Sequence, residues 1–210
     1  VVLREKESGL EMGISEDDRG AYIMNSRDLC LMPRLADVIK SGPDSLKIEG
    51  RNRSEYYVGS VVRAYRNAID SYFSDPENFD PAPFMDDLNV LETRGYTLAF
   101  FDGPVTADAH DYETTRSQSD YQAAGVVTNV TDTDVILELR NELKQGTTIT
   151  FILPGNASVD VELRKIINAK DNTVMEKMSA GQNASLKIPR EWIGAHLDKF
   201  EPLVLAYKKK

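Results

Sequence analysis

The chain has 210 residues, with 25 Lys and Arg against 34 Asp and Glu, a formal net charge of −9, and 41% hydrophobic and 28% charged side chains. That balance fits an ordinary folded domain and excludes a disordered chain, a collagen-like repeat and a basic nucleic-acid coat. A single cysteine, Cys30, excludes an internal disulfide framework or a self-contained cysteine-rich metal site, and two distant histidines, His110 and His196, exclude a zincin. The apolar runs are only a few residues long, too short to span a membrane, and no signal peptide is recognisable. A start on Val1-Val2-Leu3-Arg4 is expected of a piece of a longer protein.

The charge is uneven. Residues 1–110 hold 12 basic and 20 acidic side chains, and residues 111–210 hold 13 and 14. Neither half has the basic excess of a nucleic-acid binder. Ser26 or Asp28 is placed to cap a helical turn carrying Leu29, Cys30 and Leu31. Pro33 suits the first position of a helix in which Leu35, Val38 and Ile39 share a face, and Gly42-Pro43 stops it. Ser45 to Arg51 alternates as a short strand, with Leu46 and Ile48 on one face and Lys47 and Glu49 on the other. Ser54 caps a helix whose Val58, Val62, Tyr65, Ile69 and Tyr72 form an apolar stripe that Val61 widens. Helix, strand and helix in close order belong to an α/β fold. The charged face of the strand fits either an edge of an antiparallel sheet or the last strand of a (β/α)8 barrel, with Lys47 and Glu49 at the mouth.

Asp75 to Pro83, with three prolines, reads as a linker. From Ala124 onward the chain reads as short strands at roughly ten-residue spacing: 125–130, 134–139, 147–153, 158–163, 173–178, 184–188 and 202–207. They predict a small closed β-barrel or sandwich, in which closure removes exposed edges. Lys208-Lys209-Lys210 reads as a frayed, solvated end, and Lys144, Arg164, Lys165 and Lys187 are basic positions that a fold could cluster. The expected organisation is an α/β barrel remnant in 1–75, a connecting segment in 76–118 and a small all-β barrel in 119–210.

Three segments carry a resemblance: Arg19 to Cys30, reading RGAYIMNSRDLC; Ser45 to Arg51, reading SLKIEGR; and the helix from Tyr56 to Arg66. Together they closely resemble peptidase family U32, the collagenase-like peptidases. Arg94-Gly95-Tyr96-Thr97 to Phe100-Phe101-Asp102-Gly103 is similar to a further segment of that family. Glu138 to Asn141, Gly146 and Pro154-Gly155 are more loosely similar to its C-terminal barrel domain. The chain departs from the family's pattern at Glu92-Thr93-Arg94, where many members have Ser-His-Arg, and at Leu98-Ala99, where members often have Thr-Gly.

The resemblance implies the last part of a modified (β/α)8 barrel followed by the small β-barrel, with the earlier strands in a missing N-terminal domain. It implies a cytoplasmic iron–sulfur enzyme of RNA hydroxylation, of the prephenate-dependent kind acting on a wobble uridine of transfer RNA. The family name alone implies a peptidase acting on peptides. Cys30 would be the fourth ligand of a [4Fe–4S] cluster in the intact protein, the other three thiolates lying upstream, so this chain alone is expected to carry no cluster. Lys47, Glu49 and Arg51 would line the barrel mouth as catalytic residues, and Asn25 and Arg53 would bind substrate. Read from the residues alone, Asn25 also suits a cap, and Arg51 and Arg53 suit either an anionic substrate or surface pairs with Glu49 and Glu55. Ser26, Ser45 and Ser54 have no histidine nearby in sequence, and there is no Gly-x-Ser-x-Gly elbow, so a complete proteolytic centre is not expected here. A non-catalytic binding or assembly domain is the remaining alternative.

Overall fold

The computed structural model describes residues 26–105, 109–111 and 119–210, and before them the backbone of β1 (Val2–Arg4), β2 (Glu11–Gly13), β3 (Ser15–Asp17) and β4 (Gly20–Tyr22). Two compact units form. One joins Val1–Leu31 to Thr93–Gln118, and the other joins Met32–Glu92 to Ser119–Lys210.

In the first unit, β1 pairs with β2 and β3 with β4, both antiparallel. β5 (Asp28–Leu29) runs parallel to β6 (Tyr96–Thr97). The helical turn expected around Leu29 and Cys30 is therefore a strand. Tyr96 and Thr97 offer it a ladder, and tertiary pairing outweighs the local preference of a capping residue.

The second unit opens with a 3-10 turn over Met32–Arg34, then α1 (Leu35–Lys40), which ends before Gly42 at φ +80° as the sequence predicts. The next expected element does not form. Residues 45–50 belong to no strand, because no described strand pairs with them; Leu46 and Ile48 are still half-buried and Lys47 and Glu49 exposed, so the alternation survives without a ladder. α2 (Glu55–Ser74) starts where predicted, its Ser54 Oγ accepting the Tyr57 N–H at 3.2 Å. Its buried face is only partly the stripe of large apolar residues. It is Ser60, Ala64 and Ala68, with Tyr56, Val61 and Tyr72, while Val62 is 47% exposed. Small side chains let neighbouring elements approach closely, and periodicity weighted by hydrophobic size overlooks them.

The expected linker leads into a third helix, α3 (Ala82–Asn89), with Pro81 at its start and Asp80 Oδ1 accepting the Ala82 N–H at 2.9 Å. It packs on α2 through Phe79, which meets Tyr72 edge-on at 5.5 Å and stacks on Phe84 at 6.2 Å. Arg63 of α2 pairs with Asp87 at 3.3 Å.

The all-β part is a curled antiparallel sheet of six strands, in the order 158–162, 148–152, 205–209, 121–130, 134–139 and 185–189. Its strands are β7 (Tyr121–Val130), β8 (Asp134–Leu139), β10 (Thr148–Ile152), β11 (Ser158–Glu162), β15 (Ser185–Pro189) and β16 (Leu205–Lys209). Short pairs, β9 (Leu143–Lys144) with β14 (Lys177–Met178) and β12 (Ile166–Ile167) with β13 (Val174–Met175), complete the wall. The strand expected over 173–178 is thus two pieces, broken at Glu176, whose carbonyl accepts the Gln145 N–H. β12 is tied to the outer edge of β15 by the Asn168–Leu186 bridge. The alternation in β8, β10 and β15 sends Leu137, Ile149, Phe151, Leu186 and Ile188 into one core, where Phe151 meets Phe200 edge-on at 4.9 Å. The three terminal lysines do not form a frayed end: Lys208 and Lys209 extend the central strand β16, and Lys210 N donates to Asp120 O at 2.7 Å.

α2 lies on this sheet. Tyr56 and Tyr207 rings are 6.0 Å apart, Gly59 faces the Leu205 side chain, and Arg63 donates to the carbonyls of Gly155 at 2.8 Å and Ala157 at 3.1 Å. Arg140 clasps Glu55 at 2.6 Å. A backbone N–H at the helix start, and then Arg140, hold the Glu55 carboxyl below its ordinary range.

Gly125 in β7 tests how tightly the sheet is curled. A side-chain carbon there would run into the Glu138 backbone carbonyl and come within 2.8 Å of Leu137 Cγ. Gly125→Ala is expected to destabilise the fold by about 1–3 kcal/mol. Gly181→Ala, where a new methyl meets nothing within 4 Å, should change stability by less than about 0.5 kcal/mol. Urea unfolding midpoints of the two variants check this; equal midpoints would contradict it.

Candidate functional site

Cys30 follows β5 directly, at the carboxyl end of a parallel strand pair. Its backbone N–H donates to Thr97 O at 2.9 Å, and the side chain is 5% exposed. Asp28 N donates to Gly95 O and Arg27 N to Ala109 O, each at 2.9 Å. The Asp28 carboxylate pairs with Arg94 at 3.3 Å and is mostly buried. Gly95, at φ +78°, supplies the turn that brings Arg94 round to Asp28, and Thr93 Oγ1 accepts the Gly95 N–H at 3.3 Å. Asp28 thus acts through a half-buried ion pair and not as a helix cap. The sequence alone did not link Asp28 to Arg94; their 66-residue separation hides a pairing that only the parallel ladder creates.

His110, half-buried, forms a bridge with Ser26 in the same unit. Asn25 lies outside the described residues.

Lys47, Glu49, Arg51 and Arg53 belong to the other unit. Lys47, Glu49 and Arg51 are exposed in the irregular stretch and turn before α2. Glu49 Oε1 accepts the Arg51 N–H at 2.9 Å, closing a local turn. Arg53 is half-buried, with Nη1 donating to Glu92 O at 3.1 Å and the guanidinium 4.8 Å over the Tyr57 ring. Those contacts fix its direction and hold the 50–54 turn to the end of the α3 region. His196, at φ +62°, is exposed and precedes a 3-10 turn over Leu197–Lys199.

A [4Fe–4S] cluster is held by four thiolates. This chain has one cysteine, and among the described residues no group of three His, Cys, Asp or Glu is arranged to hold a metal ion. The residues present therefore do not fit a complete cluster; Cys30 supplies one thiol. Among the described residues no helix is long and apolar enough to cross a membrane. The burial of Cys30 sets an expectation: its thiol should react with Ellman's reagent far more slowly in the native chain than in the urea-unfolded chain. Equal rates would show that the β5–β6 pair does not shield it.

The sequence match spans both units. The family described as Peptidase family U32 matches residues 2–111, and the Peptidase family U32 C-terminal domain matches residues 119–195. The tRNA hydroxylation protein P1 of Bacillus subtilis (strain 168) is 34% identical over 141 residues, 66% of this chain and 33% of its own length. The tRNA hydroxylation protein P of Haemophilus influenzae is 31% identical over 184 residues, 86% of this chain and 39% of its own length. A collagenase of Porphyromonas gingivalis is 37% identical over 102 residues, 48% of this chain and 24% of its own length. The chain thus spans about a third to two fifths of the two tRNA hydroxylation relatives. With more than half of its residues inside the first match and the all-β part inside the second, the chain belongs to peptidase family U32.

Proposed function

We propose that this chain is the C-terminal part of a cytoplasmic protein that hydroxylates transfer RNA, using prephenate as the family resemblance implies. The observation that carries this reading is the similarity to tRNA hydroxylation proteins over most of the chain. In the longer protein, the extended Ser45–Gly50 stretch becomes the last strand of a (β/α)8 barrel built by upstream residues. Its unladdered alternation and the exposed Val62 and Phe73 on the following helix support this, since both are surfaces a neighbouring layer would cover. Cys30 then contributes one thiolate to a [4Fe–4S] cluster whose other ligands come from outside this chain. Its place at the carboxyl end of a parallel pair supports that role, because such ends are where barrels of this kind gather functional residues. Lys47, Glu49 and Arg51 line the barrel mouth, with Arg53 and Asn25 toward the substrate. The runner-up is peptide hydrolysis, favoured by the collagenase relative.

The test uses the longer protein in a strain lacking it. Wild type is expected to restore hydroxylated uridine in digested tRNA, measured by mass spectrometry, and Cys30→Ser to lose both that product and the protein's iron and sulfide. Undiminished hydroxylation by Cys30→Ser would refute the ligand role. Failure of wild type to restore the nucleoside, with gelatin cleavage that survives purification, would favour the peptidase.

A further inference from the structure

The second half carries basic residues in several strands, and nothing in their spacing says which of them meet. Strand pairing decides it. β9 and β14 pair so that Lys144 stands directly opposite Lys177 and Leu143 opposite Met178. Leu143 and Met178 are buried, so both ammonium groups face outward, with side chains 65% and 62% exposed. Like charges directly opposed on an antiparallel pair destabilise it.

The carboxylate between them is Glu142. Its Oε1 lies 3.4 Å from Lys144 Nζ, and its Oε2 lies 3.2 Å from Lys177 Nζ and accepts the Ser179 hydroxyl at 3.1 Å. A third ammonium arrives from the central strand of the sheet, where Lys208 Nζ donates to the Glu142 backbone carbonyl at 2.8 Å. Two lysines share the Glu142 carboxylate and the third holds its backbone carbonyl, a local sum of 3 − 1 = +2 in a chain whose net charge is −9. Burial, and then the like charge of Lys144, hold the Lys208 ammonium below its ordinary range, while Glu142 opposes the shift. Gly146 N donates to Leu163 O and Leu163 N to Thr147 O, so the exposed Arg164 and Lys165 follow a residue bonded to the turn after Lys144. Lys187, by contrast, is engaged by Asn172 at 2.6 Å and stands 4.0 Å from Asp134.

Mobile surface lysines ordinarily spread apart in water. Here the ladder holds two exposed ammonium groups face to face and the central strand brings the half-buried Lys208 beside them, leaving an excess of positive charge that phosphates would neutralise. We propose that the Lys144–Lys177–Lys208 cluster around Glu142 contacts the sugar–phosphate backbone of the RNA substrate; the proposal rests on the RNA reading above.

The test measures fluorescence anisotropy of a labelled, unmodified tRNA transcript with the 210-residue chain over a salt series. Lys144→Gln/Lys177→Gln is expected to weaken binding about three- to tenfold and to lower the slope of log affinity against log salt by roughly one per lysine removed. Lys144→Arg/Lys177→Arg should bind like wild type. Glu142→Gln should bind tighter, because it removes the competing anion. A purely structural cluster gives the opposite pattern, with Glu142→Gln and the lysine variants weakening binding together as the fold loosens. Unchanged affinity and salt slope in the Lys→Gln variant, with a wild-type melting curve, would overturn the site while leaving the RNA reading standing. Absence of binding by wild type at low salt would overturn both. Displacement of the tRNA by polyglutamate at equal charge concentration would assign the face to acidic protein and overturn the RNA assignment.

Discussion

The last strand of the chain lies in the middle of its sheet. β16 is hydrogen-bonded to β10 on one side and β7 on the other, so the curled sheet exists only when residues 205–209 are in place. The strand buries Ala206 in the core, offers Leu205 and Tyr207 to α2, and carries Lys208 to Glu142. A register shift between Ala206 and Tyr207 lets one short strand serve these different neighbours. The terminal residue is held as well, through its backbone to Asp120 and through its ammonium to Glu92 at 2.8 Å.

α2 is the second hub, and its two faces are built differently. Between the buried rings of Tyr56 and Tyr72 it presents small side chains, so close approach adds to bulk as a source of packing contacts. That approach has a cost: Tyr56 Oη and Ser60 Oγ are buried without a hydrogen-bond partner among the described residues, and burial pushes the Tyr56 hydroxyl well above its ordinary range. The interface compensates with directed polar contacts, from Arg63 to two loop carbonyls and Asp87 and from Arg140 to Glu55. Asp87 is itself partly desolvated, which raises its carboxyl above the ordinary range, and the Arg63 charge opposes that shift.

The Cys30 region uses another device. Two residues of parallel ladder, an ion pair between Asp28 and Arg94, and a left-handed glycine at 95 fix one thiol at a strand end. The site is narrow in what it can do unaided, since a single thiol does not complete a cluster. The ladder fixes the backbone of Cys30 through its N–H on Thr97 O, and the Asp28–Arg94 pair lies two residues before it.

The sequence by itself determined the elements whose information is local. Ser54 at the start of α2, Gly42 after α1, and the alternation of β8, β10 and β15 each depend on residues within a few positions of one another, whereas Pro33 falls in the 3-10 turn before α1 and not at its first position. The motifs around Arg19–Cys30 and Ser45–Arg51 pointed to the family for the same reason, being contiguous. Tertiary structure alone decided what depends on distant neighbours. Asp28–Leu29 became a strand because Tyr96–Thr97 lies beside it, and 45–50 did not, because no described strand does. α2 buried Ser60, Ala64 and Ala68 beside Tyr56, Val61 and Tyr72 and left Val62 exposed, the terminal lysines entered the central strand, and Lys144, Lys177 and Lys208 met at Glu142. Local spacing sets dihedral preferences and faces, but a ladder, a packed seam or a charge cluster needs a partner whose position is fixed only when the chain has folded.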